Sequence, residues 1–66
     1  MIRVKSSNLV AVAYGGLTLH IQFHSGRLYA FYNVPRHIFD GLMSAKSKGK
    51  FFHERIRERY AYQRIL

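Results

Sequence analysis

The side chains best equipped for chemistry in this sequence are cations and aromatics, and the chemistry they suit is binding. From Lys46 to Arg64 there are seven cations and two carboxylates, a local excess of 7 − 2 = +5. On a helical wheel Lys48, Arg55 and Arg59 share a narrow stripe with Phe51 at its edge, while Lys50 and Arg57 form a second stripe interrupted by Glu54. Cations along one helix face neutralise phosphates, and an adjacent ring offers a base a surface on which to stack. Lys46 extends the same basic segment. The bland alternative is a solvated helix face partly balanced by glutamates. A second group is Tyr29 and Phe31, two residues apart in a strand-like run that begins at Arg27. Aromatics on an open sheet face beside polar and basic groups can stack unpaired bases. Covered by another element, the same pair would instead form a second small core.

Other chemistries find little support. Three carboxylates are present, Asp40, Glu54 and Glu58. Glu54 and Glu58 are four apart on an arginine-rich helix, which suits surface charge pairing better than acid–base work. No glycine-rich phosphate loop and no nucleophile motif is found. Of the four histidines, His20 and His24 share a strand face but stand roughly 13 Å apart, too far to share a metal ion. His37 and His53 fall on different helices. The expectation is a non-enzyme with no cofactor and no bound metal.

Composition agrees with a binding role. The chain has 66 residues, 48% of them hydrophobic and 15% aromatic, which suits one folded domain over residues 1–66 rather than disorder. Eleven Lys and Arg against three Asp and Glu give a formal charge of +8. Such an excess favours polyanionic partners: nucleic acid, an anionic membrane surface or an acidic protein. There is no cysteine, so disulfides and thiolate metal sites are excluded. The longest apolar run, Leu9 to Tyr14, is six residues, against about 20 for a membrane span. The N-terminus has no apolar segment of the kind a signal peptide carries. A soluble cytoplasmic protein without a membrane partner is expected.

The elements that must position these side chains are marked by glycine and proline. Gly15-Gly16 and Ser25-Gly26 separate β-rich runs, and two-residue loops of this kind make hairpin turns because primed turns need positive φ. The result is a three-stranded antiparallel meander of Leu9–Tyr14, Leu17–His24 and Arg27–Val34. Two-residue turns set Tyr14 opposite Leu17 and Val12 opposite Leu19. In the second hairpin they set Phe23 opposite Leu28, Ile21 opposite Ala30, Leu19 opposite Tyr32 and Leu17 opposite Val34. Period-two alternation puts these residues on one apolar face and leaves Tyr29 and Phe31 on the other. Pro35 ends the sheet and opens an amphipathic helix to Ala45, whose Ile38, Phe39, Leu42 and Met43 span an arc of about 140°. Ser47 is placed to cap a second helix from Lys48 to about Arg59, with Phe52 and Ile56 inward and Gly49 allowing close approach. The predicted fold is therefore α+β, a three-stranded meander followed by two α-helices packed on one sheet face. Met1–Lys5 is a candidate short extra strand, and Tyr60–Leu66 a candidate extended segment that could pair with an edge.

Several stretches, in order, resemble the KTSC domain. They are Ser6-Ser7-Asn8, Tyr14 before a turn, Leu19-x-Ile21-x-Phe23-x-Ser25-Gly26, Tyr29-Ala30-Phe31-Tyr32-Asn33-Val34-Pro35, and Ala45-Lys46-Ser47-Lys48-Gly49-Lys50-Phe51-Phe52 followed by Ile56 and Tyr60. The resemblance covers nearly the whole chain. The family is named for its place at the C-terminus of some lysyl-tRNA synthetases and also includes small free-standing bacterial and phage proteins. At Tyr29-Ala30-Phe31 the second aromatic is a phenyl where the family pattern has a phenol, which removes a hydroxyl and keeps a stacking ring. The synthetase context implies RNA binding.

Two functional readings follow. One is a small basic nucleic-acid-binding module, RNA favoured, in which Arg27, Lys46, Lys48, Lys50, Arg55 and Arg59 meet phosphates and Tyr29, Phe31 or Phe51 stack bases. The other is a protein-interaction module, phage- or host-directed, whose basic surface docks an acidic partner. A continuous basic groove bordered by exposed rings favours the first; an exposed apolar patch or an unpaired strand edge favours the second.

Overall fold

The β-branched and aromatic runs do form strands, and the apolar stripe of the first helix covers them. A computed structural model describes the whole chain, Met1–Leu66. The elements run β1 (Ile2–Arg3), β2 (Leu9–Gly15), β3 (Thr18–Phe23), β4 (Leu28–Phe31), α1 (Arg36–Ser44), α2 (Lys48–Arg55) and β5 (Tyr62–Arg64). The class is α+β, as expected, but the sheet has five strands in the order β1-β2-β3-β4-β5, every neighbouring pair antiparallel, rather than three. The two added strands are the terminal segments, one on each edge. They fall within the two segments that the sequence offers as a candidate extra strand, Met1–Lys5, and a candidate edge-pairing segment, Tyr60–Leu66.

Both hairpins differ in register from expectation, with different consequences. In the first, Gly16 (φ 55°) and Leu17 (φ 64°) form the turn instead of Gly15-Gly16. Tyr14 then pairs with Leu19 and Val12 with Ile21. This is a shift of two residues, so Val12, Tyr14, Leu19 and Ile21 keep their face, while Leu17, expected on the apolar face, moves into the turn and is 51% exposed. Leu17 is held in its left-handed conformation while its carbonyl accepts from Val34 N at 2.8 Å.

The second hairpin has three loop residues, His24-Ser25-Gly26, closed by Phe23 N to Arg27 O at 2.9 Å and Gly26 N to Phe23 O at 2.9 Å, with Gly26 at φ 90°. Three-residue hairpin loops end on such a left-handed glycine. The single extra residue sets Ile21 opposite Tyr29 and Leu19 opposite Phe31. A slip of one turns a whole strand over. Tyr29 and Phe31 therefore lie on the helix-covered face, and the expectation that Leu28 and Tyr32 occupy it is overturned. A bulge at Val10 similarly brings Leu9 onto the same face as Val12.

The core gathers Leu9, Val12, Leu19, Ile21, Phe31 and Val34 of the sheet side with Ile38 and Leu42 of α1 and Ile56 just after α2, and Phe52 of α2 packs against Phe23 and Phe31, so both helices lie on one sheet face. Phe39 stacks on Tyr14 (centroids 4.8 Å, 8° between planes), and the Tyr14 hydroxyl donates to Val34 O at 2.6 Å. Pro35 is the N-cap of α1, and Ser47 caps α2 by accepting from Lys50 N at 3.2 Å. A β-carbon on Gly41 would lie 2.7 Å from Phe51 Cζ, so glycine lets α2 press against α1. The second helix stops at Arg55 rather than Arg59. Ile56 N and Arg57 N both turn to Phe52 O, at 3.0 and 2.9 Å, and the chain unwinds as Ile56 drops into the core. No helix is long and apolar enough to cross a membrane.

Candidate nucleic-acid interface

The flipped β4 creates the most pronounced concavity of the molecule. Between the β4–β5 edge of the sheet and α2 lies a cleft of about 700 Å³, floored by Phe23, Tyr29, Phe31 and Phe52. The rings form one connected cluster. Phe23 meets Tyr29 edge-on (5.8 Å, 86°) and Phe52 at 5.2 Å, and Phe31 meets Phe52 at 5.4 Å. Tyr62 on β5 closes one side, with centroids 5.7 Å from Tyr29 and 5.8 Å from Phe31. Phe31 is only 2% exposed and is a core residue; Tyr29 is half-buried, and Tyr62 is 58% exposed. Tyr62 is thus the most open ring of the cleft, beside half-buried Phe23, Tyr29, Phe52 and Tyr60.

Cations border these rings. Arg27 and Arg57 approach the cleft from the β3–β4 turn and from the segment after α2, and both are exposed. The Arg57 guanidinium lies on the His53 ring, Nη1 being 3.3 Å from Nδ1 and 3.4 Å from Nε2. Asn8 also lines the cleft, beside the β3–β4 turn, where its carbonyl accepts from His24 N at 2.9 Å. Ser6 Oγ accepts from Asn8 N (3.2 Å) and Leu9 N (3.3 Å), and Ser6 O contacts His24 Nε2 at 3.0 Å. This turn sets the Asn8 amide against Gly49, where a β-carbon would lie 2.9 Å from Nδ2. Ser6, Asn8 and Gly49 therefore act together although about 40 residues separate them.

The stripe expected along α2 divides. Lys48 is half-buried, and its Nζ donates to Met43 O (2.9 Å) and Ala45 O (3.1 Å), satisfying carbonyls at the end of α1. It is a capping residue. Phe51 packs on Gly41, with the Arg55 guanidinium 5.8 Å from its ring centroid. Arg59 lies beyond the helix and donates Nε to Glu54 O at 3.1 Å. Lys46 and Lys50 are exposed. Of the nine residues singled out in sequence, Arg27, Tyr29 and Phe31 line the cleft; Lys46, Lys48, Lys50, Phe51, Arg55 and Arg59 do not. Asn8, Phe23, Phe52 and Tyr62 were not foreseen, and Arg57 was read only as part of a second cation stripe with Lys50. Their signals were the Ser6-Ser7-Asn8 turn and the alternative of a three-residue loop at Gly26.

Charge pairing does little to neutralise this surface. The one ion pair with a carboxylate side chain is Arg36 to Asp40, 3.1 Å, between side chains that are 72% and 59% exposed. The pairing expected for Glu54 and Glu58 is not made. No three His, Asp or Glu side chains gather closely enough to hold a metal ion.

Lys48→Met separates capping from binding. It keeps the aliphatic stem and removes two charge-assisted hydrogen bonds, so stability should fall by about 1–2 kcal/mol in urea titrations. The salt dependence of any anion binding should be unchanged. A normal unfolding midpoint together with weakened binding would return Lys48 to the interface.

The comparisons with known proteins bear on the family and the fold. The KTSC domain family model matches residues 5–60. Lysine–tRNA ligases from Nostoc sp. and Trichormus variabilis are each 35% identical over 48 residues, 73% of this chain but only 9% of theirs. A protein of Tsukamurella paurometabola is 34% identical over 59 residues, covering 86% of this chain and 88% of its own. The crystal structure of a KTSC domain protein from Yersinia pestis superposes with a TM-score of 0.90 at 33% identity, over 97% of this chain and 93% of that one.

Proposed function

The chain belongs to the KTSC domain family, and from that premise we propose that it is a small nucleic-acid-binding module that favours single-stranded RNA. The observation that carries the reading is the cleft itself, where half-buried Tyr29 and exposed Tyr62 face solvent between Arg27 and Arg57, neither of which is paired to a carboxylate. Rings beside free cations match the two halves of an unpaired nucleotide, the base and the phosphate. The excess of +8 adds long-range attraction for a polyanion. The tRNA ligases among the relatives carry a similar segment, which is support by association rather than by site chemistry.

Fluorescence anisotropy with a short mixed-sequence single-stranded RNA at low salt tests the reading. Binding should appear below about 100 µM, a range that even non-specific binders reach. No binding at that concentration overturns it.

A second reading rests on the β5 edge. Tyr62 on this short edge strand and Ile65 and Leu66 just after it are 58%, 47% and 66% exposed, which suits addition of a strand from an acidic partner protein. Neither reading calls for catalysis.

A further inference from the structure

The cationic cleft contains one carboxylate, Glu58. Its neighbours in sequence are Arg57 and Arg59, yet it forms no ion pair, because Arg57 is turned onto the His53 ring and Arg59 onto Glu54 O. A carboxylate left free among phosphate-binding cations weakens general phosphate attraction, so its presence points to a more selective partner. The Asn8 side-chain amide also lines the cleft, has no protein hydrogen-bond partner and lies against Gly49. The floor of the cleft is aromatic.

An ionised carboxylate only accepts hydrogen bonds, and two oxygens can accept two parallel ones. Guanine offers that pair on its Watson–Crick edge, N1–H beside N2–H₂. Adenine and cytosine each present one exocyclic amine beside a ring acceptor, and uracil presents one N–H between two carbonyls that a carboxylate repels. A cleft of about 700 Å³ is within the size range of small-ligand pockets, so a purine nucleotide is an admissible occupant.

We propose that the cleft takes the base of one unpaired guanine nucleotide. The ring stacks beside Tyr29 and Tyr62, Glu58 accepts from N1–H and N2–H₂, Asn8 is free to meet the remaining base edge, and Arg27 and Arg57 hold the phosphate. This rests on the nucleic-acid reading and adds the identity of the base.

The test is anisotropy with short oligouridylates carrying a single central guanine, adenine, cytosine or uracil, for the wild-type protein and Glu58→Gln. The wild type should bind the guanine oligonucleotide about tenfold more tightly than the others, as a bidentate base contact does. Glu58→Gln should lose that preference while binding the plain oligouridylate as well as the wild type, or better. Guanosine monophosphate used as a competitor distinguishes the source. Displacement at the concentration of the oligonucleotide assigns the site to a free nucleotide; displacement only at large excess assigns it to a guanine within a strand. The guanine assignment holds in both cases. Equal affinity for all four oligonucleotides, or a preference that survives Glu58→Gln, overturns the guanine assignment and leaves RNA binding standing. Failure of every oligonucleotide to bind overturns both.

Discussion

Phe31→Ala should unfold this protein. The ring is 2% exposed, faces Phe52 and Tyr62 at 5.4 and 5.8 Å, and stands opposite Leu19 in the β-ladder. Truncating a buried phenylalanine costs about 3–5 kcal/mol in lost transfer energy and cavity. Small domains have as little as about 5 kcal/mol in total. Had β4 the opposite orientation, Phe31 would be a surface ring and its loss would cost within about 0.5 kcal/mol. Thermal unfolding followed by circular dichroism separates these outcomes. Leu28→Ala is the control, because the two-residue loop would have made Leu28 the core residue. It is only half-buried and pairs with Gln22 on the opposite face, so its loss should cost about 1 kcal/mol. A wild-type melting temperature for Phe31→Ala, with collapse of Leu28→Ala, would mean that the register of β4 is wrong.

That contrast shows where sequence reasoning succeeds here and where it stops. The strand runs, Pro35 as the end of the sheet and start of a helix, Ser47 as a cap, and the Ile38-Phe39-Leu42-Met43 stripe were legible because each is a local pattern with one structural answer. The length of the β3–β4 loop was not. Ser25-Gly26 fits a two-residue turn, and Gly26 at φ 90° equally ends a three-residue loop. The choice belongs to tertiary packing. With three loop residues, Phe31 enters the core and half-buried Tyr29 packs against it beside Phe23 and Phe52, whereas two loop residues would leave two large rings in water. Arg27 and Tyr29 thus reach a candidate site, although on the face opposite to the one expected. The cation stripe failed for a related reason. A helical wheel records which way Lys48 points but not what stands there, and what stands there is the carbonyl end of α1. Asn8 and Arg57 converge only because the turn at Ser6 and the unwinding after Arg55 bring distant segments together.

Removing Arg27 and Arg57 together should flatten the salt dependence of RNA binding. For single strands, log affinity against log salt falls with a slope of about −0.7 for each phosphate neutralised. Engagement of three to five cations gives about −2 to −3.5, and loss of two contacts should bring the slope nearer zero by about 1.4. Binding should weaken for every sequence alike, because phosphate contacts position the strand without reading it. Both side chains are exposed and lack carboxylate partners, so stability should stay within about 0.5 kcal/mol. Lys46→Gln with Lys50→Gln is the matched comparison: it removes the same charge from exposed positions outside the cleft. If the phosphate path runs through the cleft, this pair should leave most of the slope intact. If it follows α2, as the helical wheel alone suggests, the Lys46/Lys50 pair will flatten the slope and the Arg27/Arg57 pair will not. Equal flattening by both pairs would describe a diffuse basic surface, in which the aromatic floor has no part in binding and Tyr62→Ala should leave affinity unchanged. With a cleft site, Tyr62→Ala should cost about 1–3 kcal/mol of binding through lost stacking, at an unaltered slope.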